Sequence, residues 1–323
     1  VKIAFNGVGS GWGNNGGTQS VFRMADALAD EGVDVELWSN HPSKFTWFKP
    51  KAKLRTTSLQ DAPWVDVLIN TGCESTEPTY NYPRKNKGIQ WLRGHETWAF
   101  SEDKLLSLYA LDMPLWVNSE RLAGLIRKTG RDPEIQYCGI PIDQFYNVEI
   151  EKEKDFLHVG ALWSEKPMKR SNEIVEISQR TDMKDIKWWI FGSSRRPKGM
   201  PRGTTYYEQP HMSMKRMLYS ACDVWIATTI NDGLHIPPME AALCGATVVA
   251  NDIPSAGSMD YCIDGVTGLT FSNIDQAASG INKLRYDVDM RSGLNESMRK
   301  LIELKIGTVR QNAKKMIERI NKL

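Results

Sequence analysis

The stretch Lys2-Ile3-Ala4-Phe5, followed by Gly7-Val8-Gly9-Ser10-Gly11-Trp12-Gly13-Asn14-Asn15-Gly16-Gly17, decides the fold of this chain. A short apolar run enters a segment too rich in glycine for regular structure. Val21, Met24, Ala25, Leu28 and Ala29 then recur at helical spacing, and Gly32 stands where a helix C-terminus is expected. Val33, Val35 and Leu37 alternate with Asp34 and Glu36, as in a strand. Strand, loop, helix and strand in one short span imply a parallel sheet.

Outward from this start the pattern repeats. Val65–Asn70, Gly88–Leu92 and Leu115–Asn118 read as buried strands, and a Ser119-capped helix runs through Leu122 and Ile126. Glu134–Tyr137 leads to Gly139-Ile140-Pro141-Ile142-Asp143. The charge run Glu149–Asp155 reads as a solvated linker. Beyond it the pattern restarts, with strands at 156–159, 187–191, 223–227 and 246–250 and helices at 171–180, 213–221 and 238–244. Two α/β halves, each with a loop after its first strand, predict two facing Rossmann-like domains with a central cleft. The expected domains are 1–150 and 151–323, with the final helix packing back on the first.

The 323 residues fit about two domains at roughly 150 residues each. With 41% apolar and 25% charged residues the composition is that of a globular protein, not a disordered or fibrous one. A net charge of +2 argues against a nucleic-acid packaging protein. No apolar run approaches the ~18–20 residues of a membrane span, and the opening segment lacks the shape of a signal peptide. The five cysteines are far apart and form no CxxC pair, which points to a cytoplasmic protein without zinc or disulfide framework.

The stretch richest in chemistry is Asn231-Asp232-Gly233-Leu234-His235-Ile236-Pro237-Pro238-Met239-Glu240-Ala241-Ala242-Leu243-Cys244-Gly245. It joins a predicted strand to a helix whose first turn accepts proline. The free N–H groups of such a turn attract phosphate. Glu240, one turn in, is placed to accept hydrogen bonds from a ribose diol. The spacing alone also fits capping or surface carboxylates at Asp232 and Glu240.

This segment resembles the E-x7-E signature of the family 4 retaining glycosyltransferases of GT-B fold, with Asp232 at the first acidic position. The continuation Ala246–Ala250 and Asp264-Gly265-Val266-Thr267-Gly268-Leu269 is similar to the same family's strand and turn. The resemblance covers nearly the whole chain. It implies that Gly16, Gly17 and Thr18 meet the donor's phosphates, a placement the competing dinucleotide fingerprint cannot claim because Trp12 stands where it needs glycine. Leu92-Arg93-Gly94-His95-Glu96 resembles the family's histidine near the transferred sugar, although a lone His is also compatible with a structural role. The family's cationic pair maps onto Ala161, where its arginine is missing, and Lys169, with Arg170 and Lys166 as basic neighbours. Gln209, after Tyr206-Tyr207-Glu208, lies where the nucleobase docks.

The resemblance thus implies a metal-independent, retaining transfer from a UDP- or GDP-sugar, with no cofactor. His95 and Asp232 are the expected catalytic residues, on opposite sides of the sugar. Lys169, Arg170, Gln209, Gly233, Leu234, His235, Ile236 and Glu240 join the glycine pair and Thr18 as donor-binding residues. A glycan or glycolipid precursor is the expected acceptor. Lys44–Arg55 interleaves bases with aromatics, so it fits a solvated loop with core aromatics, an anionic membrane surface or a nucleic-acid acceptor; Arg84-Lys85-Asn86-Lys87 adds a second basic spot. The membrane alternative would place the protein at the inner membrane surface. A transferase acting on modified DNA, a nucleotide-sugar epimerase and a non-catalytic sugar-nucleotide binding module remain alternative readings.

Overall fold

The computed structural model describes residues 1–82, 87–200 and 203–323. The chain divides into two compact units, Val1–Gly139 with Gly307–Leu323, and Ile140–Ile306.

In the first unit, strands β1 (Lys2–Asn6), β2 (Asp34–Ser39), β3 (Lys53–Thr56), β4 (Val67–Asn70), β5 (Lys87–Leu92), β6 (Leu115–Val117) and β7 (Glu134–Ile135) pair in the order β3-β2-β1-β4-β5-β6-β7. Every pairing is parallel. Helices α1 (Gly16–Asp30), α2 (Thr76–Tyr80), α3 (Glu102–Tyr109) and α4 (Glu120–Arg127) belong to this unit. In the second, β8 (Leu157–Trp163), β9 (Ile186–Gly192), β10 (Thr205–Glu208), β11 (Val224–Ala227), β12 (Thr247–Asn251) and β13 (Leu269–Phe271) run parallel in the order β10-β9-β8-β11-β12-β13. Its helices are α5 (Asn172–Ser178), α6 (Met212–Ala221), α7 (Ile236–Leu243), α8 (Ile274–Tyr286) and α9 (Val288–Leu301).

The last helix, α10 (Val309–Lys322), belongs to the first unit and lies against α1. Thr308 and Gln311 cap it reciprocally, and Ala313, Met316 and Ile320 form its buried stripe. Arg310 and Lys314 reach Glu31 at the end of α1. The chain arrives there beside its point of exit. A Cβ on Gly139 would lie 2.5 Å from the Thr308 carbonyl oxygen, and Gly139 holds φ at +70°, so only glycine fits.

The first unit ends at Gly139, earlier than position 150. Phe145 packs edge-on to Tyr219 with centroids 5.7 Å apart, and the Val148 amide donates to Ser220 Oγ at 3.1 Å. These contacts hold the segment after Gly139 to the second unit. The charge run is likewise tied to that unit: Lys152 bonds Asp223 at 3.1 Å, and Glu153 meets Lys187 at 3.3 Å.

The Lys44–Arg55 segment differs in part from a loop. Its end is edge strand β3, where Arg55 grips Glu36 with two bonds of 2.6 and 2.7 Å. Lys51 pairs with Asp30 at 2.7 Å. Phe45 and Phe48 pack on Phe22 of α1, at 4.8 and 6.4 Å between centroids. Several of its bases and aromatics therefore serve the unit's own packing. Arg84, Lys85 and Asn86 lie outside the described residues. All five cysteines are buried and free, and among the described residues no helix is long and apolar enough to cross a membrane.

Candidate active site

Open parallel sheets form a ligand crevice at the carboxyl ends of their strands, where the strand order reverses. In the second unit that point lies between β8 and β11. The loops leaving these two strands are stitched together. Thr228 Oγ1 donates to the Lys169 carbonyl at 2.8 Å, and the Ile230 amide donates to the Met168 carbonyl at 2.9 Å. Lys169 closes a short turn, Pro167–Lys169. Its ammonium forms an ion pair with the Asp232 carboxylate, the two side chains being 16% and 30% exposed. The other Asp232 oxygen accepts the Gly233 amide at 2.7 Å. Burial opposes the charge on Asp232, but Lys169 outweighs it and brings the carboxyl down to about 2. Asp232 and Lys169, widely separated in sequence, thus form one charged corner.

The positive end beside this corner differs from a simple helix N-terminus. Pro237 and Pro238 occupy the second and third positions of α7 and carry no N–H. The open donors sit just before them: among the described residues the amides of Leu234, His235 and Ile236 have no partner. His235 turns the chain here with φ +49° and ψ +69°. Successive N–H groups around a left-handed residue make an anion-binding nest. Glu240 follows on α7, 5% exposed, and accepts a hydrogen bond of 2.9 Å from the buried Tyr219 hydroxyl.

Not every expected residue joins this corner. Arg170, with φ +46°, directs its guanidinium to Glu173 at 3.1 Å. Ala161 is an interior position of β8, flanked by Ile190 and Ile226 and fully buried in the core; an arginine there would bury its charge among apolar side chains. Gln209, with φ +44°, donates from its side chain to Ser193 O at 3.0 Å and bridges the ends of β9 and β10.

In the first unit the order reverses between β1 and β4. The glycine loop there wraps Trp12, whose ring would lie 2.5 Å from a Cβ on Gly7 and which packs on Phe22 at 5.4 Å. Asn15 caps α1 by accepting the Thr18 amide at 2.8 Å. A Cβ on Gly16 would meet nothing within 4 Å and Gly16 keeps an ordinary φ, so the fold itself imposes no need for glycine there. Arg93, to which the sequence alone assigns no role, also belongs here. Its guanidinium bonds the carbonyls of Gly17 and Thr71, with Ser20 Oγ at 2.9 Å, and so ties the start of α1 to the loop after β4. Its position directly after β5, beside His95, was the available signal. His95 is 7% exposed, with Nδ1 3.1 Å from the Tyr109 hydroxyl and Nε2 2.6 Å from Glu102.

Comparison with known proteins bears on the second unit and on the fold of the whole chain. Residues 153–287 match the family described as Glycosyl transferases group 1. The matched stretch lies within the second unit. It includes Lys169, the nest and Glu240, and the match bears out the resemblance seen in the sequence. Across the whole chain the fold is GT-B. Anabaena Alr3699/HepE, solved in complex with UDP-glucose, is 14% identical and superposes with a TM-score of 0.82 over 100% of both chains. Sucrose-phosphate synthase from Thermosynechococcus elongatus is 14% identical, with a TM-score of 0.82 over 99% of this chain and 98% of the other. A glycosyltransferase from Rickettsia africae is 13% identical, with a TM-score of 0.80 over 99% and 98%. No curated protein matches the chain in sequence.

Proposed function

We propose that this protein is a retaining glycosyltransferase that moves a sugar from a nucleoside-diphosphate sugar to a hydroxyl of a glycan or glycolipid precursor. The observation that carries this reading is the corner at the switch point of the second unit. There Lys169 pairs with Asp232 beside the open amides of residues 234–236, and Glu240 follows on α7, held by Tyr219. The donors suit a diphosphate, and the carboxylates suit the hydroxyls of ribose and sugar. The UDP-glucose complex of HepE supports UDP-glucose as the first donor to try.

The chemistry follows from the charges. When the anomeric C–O bond to phosphate breaks, negative charge grows on the leaving diphosphate. Fixed amides at residues 234–236 lower the energy of that charge without reorganising. Lys169 exchanges its Asp232 partner for the diphosphate, which frees Asp232 to accept bonds from sugar hydroxyls. Glu240, held by Tyr219, accepts from the ribose. The acceptor oxygen attacks the anomeric carbon on the face the diphosphate leaves, and its proton passes to the departing phosphate oxygen. The lysine and the amides meet the developing charge, so the reading calls for no metal and no covalent enzyme intermediate. His95 is assigned to the transferred sugar. For that its Nε2 must exchange Glu102, whose side chain is 52% exposed, for a sugar hydroxyl.

A thermal-shift screen of UDP, GDP and their sugars on the full chain tests the reading. A ligand at 100 times its Kd adds about 2.7 kcal/mol of stability. Stabilisation by one diphosphate, followed by its acceptor-dependent release from the sugar donor, is expected. Binding without turnover would instead make the chain a binding module, and release of an epimerised free sugar would make it an epimerase. No stabilisation by any nucleotide would overturn the proposal.

A further inference from the structure

Of the buried polar atoms in the second unit that lack a hydrogen-bond partner among the described residues, the one at the nest is His235 Nδ1. His235 is 4% exposed. Its Nε2 lies 3.2 Å from Thr229 Oγ1, and its carbonyl accepts the Tyr261 hydroxyl at 2.6 Å. Its Nδ1 is buried and has no hydrogen-bond partner among the described residues. Leaving such an atom unpaired is costly, so each case calls for a reason.

The position of this atom supplies one. Nδ1 is bonded to Cγ and therefore stays close to the residue's own main chain. That main chain is the centre of the nest formed by the amides of Leu234, His235 and Ile236. The left-handed backbone at His235 is one that glycine adopts at least cost, yet an imidazole is kept there.

We propose that His235, in its Nδ1–H form, donates a hydrogen bond from its side chain to the diphosphate of the bound nucleotide sugar. This rests on the reading of the corner as a nucleotide-sugar site. The surroundings select an anionic ligand rich in acceptors. The amides of residues 234–236 are donors, Lys169 is a cation, and the Asp232 carboxylate already accepts from Lys169 and Gly233. A bare Nδ1 lone pair would repel a phosphate oxygen, whereas an N–H completes the set. In this tautomer Nε2 is an acceptor, and the Thr229 hydroxyl at 3.2 Å is placed to donate to it. Burial, reinforced by Lys169, pushes the imidazole down to about 3, so near neutral pH the ring is uncharged and carries a single N–H. The group is thus a neutral donor whose strength does not change across the physiological range.

The test uses the full chain and two variants. Titrations of wild type with UDP and GDP first establish which diphosphate binds; if neither does, the site reading itself fails and not this inference alone. His235→Gly suits the left-handed backbone and removes the ring. It is expected to bind the matching nucleoside, uridine or guanosine, as wild type does, while its affinity for the diphosphate falls about tenfold or more. His235→Asn tolerates the same backbone and brings back an N–H donor, so it is expected to recover part of the loss. Diphosphate affinity unchanged in His235→Gly would overturn the proposal, as would an equal loss for nucleoside and diphosphate. Nitrogen-15 spectra of wild type give a readout independent of any variant: an Nδ1–H tautomer that persists with diphosphate bound is expected, and an Nε2–H tautomer refutes it.

Discussion

Replacing Lys169 with alanine leaves Asp232 without its cation, and the consequences divide between stability and binding. In wild type the pair holds the Asp232 carboxyl at about 2 against an ordinary 3.8. That depression corresponds to roughly 2 kcal/mol. The carboxylate is 30% exposed, so screening by solvent trims the value to about 1–2 kcal/mol. Because the folded-state pKa lies below the unfolded one, this stabilisation is present above about pH 4 and is lost as pH falls toward 2. Urea denaturation of wild type and Lys169→Ala at pH 7 and at pH 3 reads it directly. The variant is expected to be weaker at pH 7 by about 1–2 kcal/mol and to lose less on acidification. In calorimetric titrations its affinity for the nucleoside diphosphate falls by tenfold or more, the loss of a charge-assisted hydrogen bond worth ~1.5–3 kcal/mol, while nucleoside affinity stays unchanged. Asp232→Asn has the opposite signature: Lys169 is released to the phosphate, so diphosphate affinity holds or rises while transfer slows. A Lys169→Ala variant with wild-type acid dependence and wild-type diphosphate affinity would refute this reasoning.

Three further outcomes are expected. Tyr219→Phe removes the bond that orients Glu240 and costs roughly 1.5–3 kcal/mol of stability, with weaker binding of ribonucleotides than of 2′-deoxyribonucleotides relative to wild type; denaturation and paired titrations check both. Arg55→Ala strips the main partner from Glu36, a side chain 3% exposed and held at about 2 by that bond, and should lower stability by roughly 1–3 kcal/mol, read as a Tm several degrees lower, with no change in nucleotide affinity. His95→Ala should reduce kcat with little change in donor affinity, because contacts made only in the transition state act on turnover; an equal loss of donor affinity would make His95 a ground-state binding residue.

Particular elements show why some of this was legible in the sequence. The central strands β1, β4, β8 and β11 are apolar runs because both faces of a parallel sheet are covered, and each stands out from its loops. Edge strand β3 does not, since three of its four residues are exposed and two of them are basic or carry polar tips. The membership of α10 in the first unit rests on contacts with α1 and on the crossing of Gly139 with Thr308, which no local pattern encodes. At the site, the acidic spacing of Asp232 and Glu240 and the loop glycines were visible. The pairing of Lys169 with Asp232 was not. Lys169 meets Asp232 only because β8 and β11 are neighbours, and Arg170 turns to Glu173 because its own backbone is left-handed. Likewise Ala161 takes the place of a loop cation in the sequence pattern, whereas in the fold β8 continues through it to Trp163. Pair contacts between distant loops depend on strand order, and strand order is a property of the folded sheet.

The most direct test of the account is a crystal structure of the full chain with the nucleoside diphosphate that stabilises it. The account predicts the diphosphate on the amides of residues 234–236, within hydrogen-bond distance of Lys169 Nζ and His235 Nδ1, with the ribose hydroxyls on Glu240. A nucleotide bound away from the β8–β11 switch point, with the Lys169–Asp232 pair intact, would contradict it.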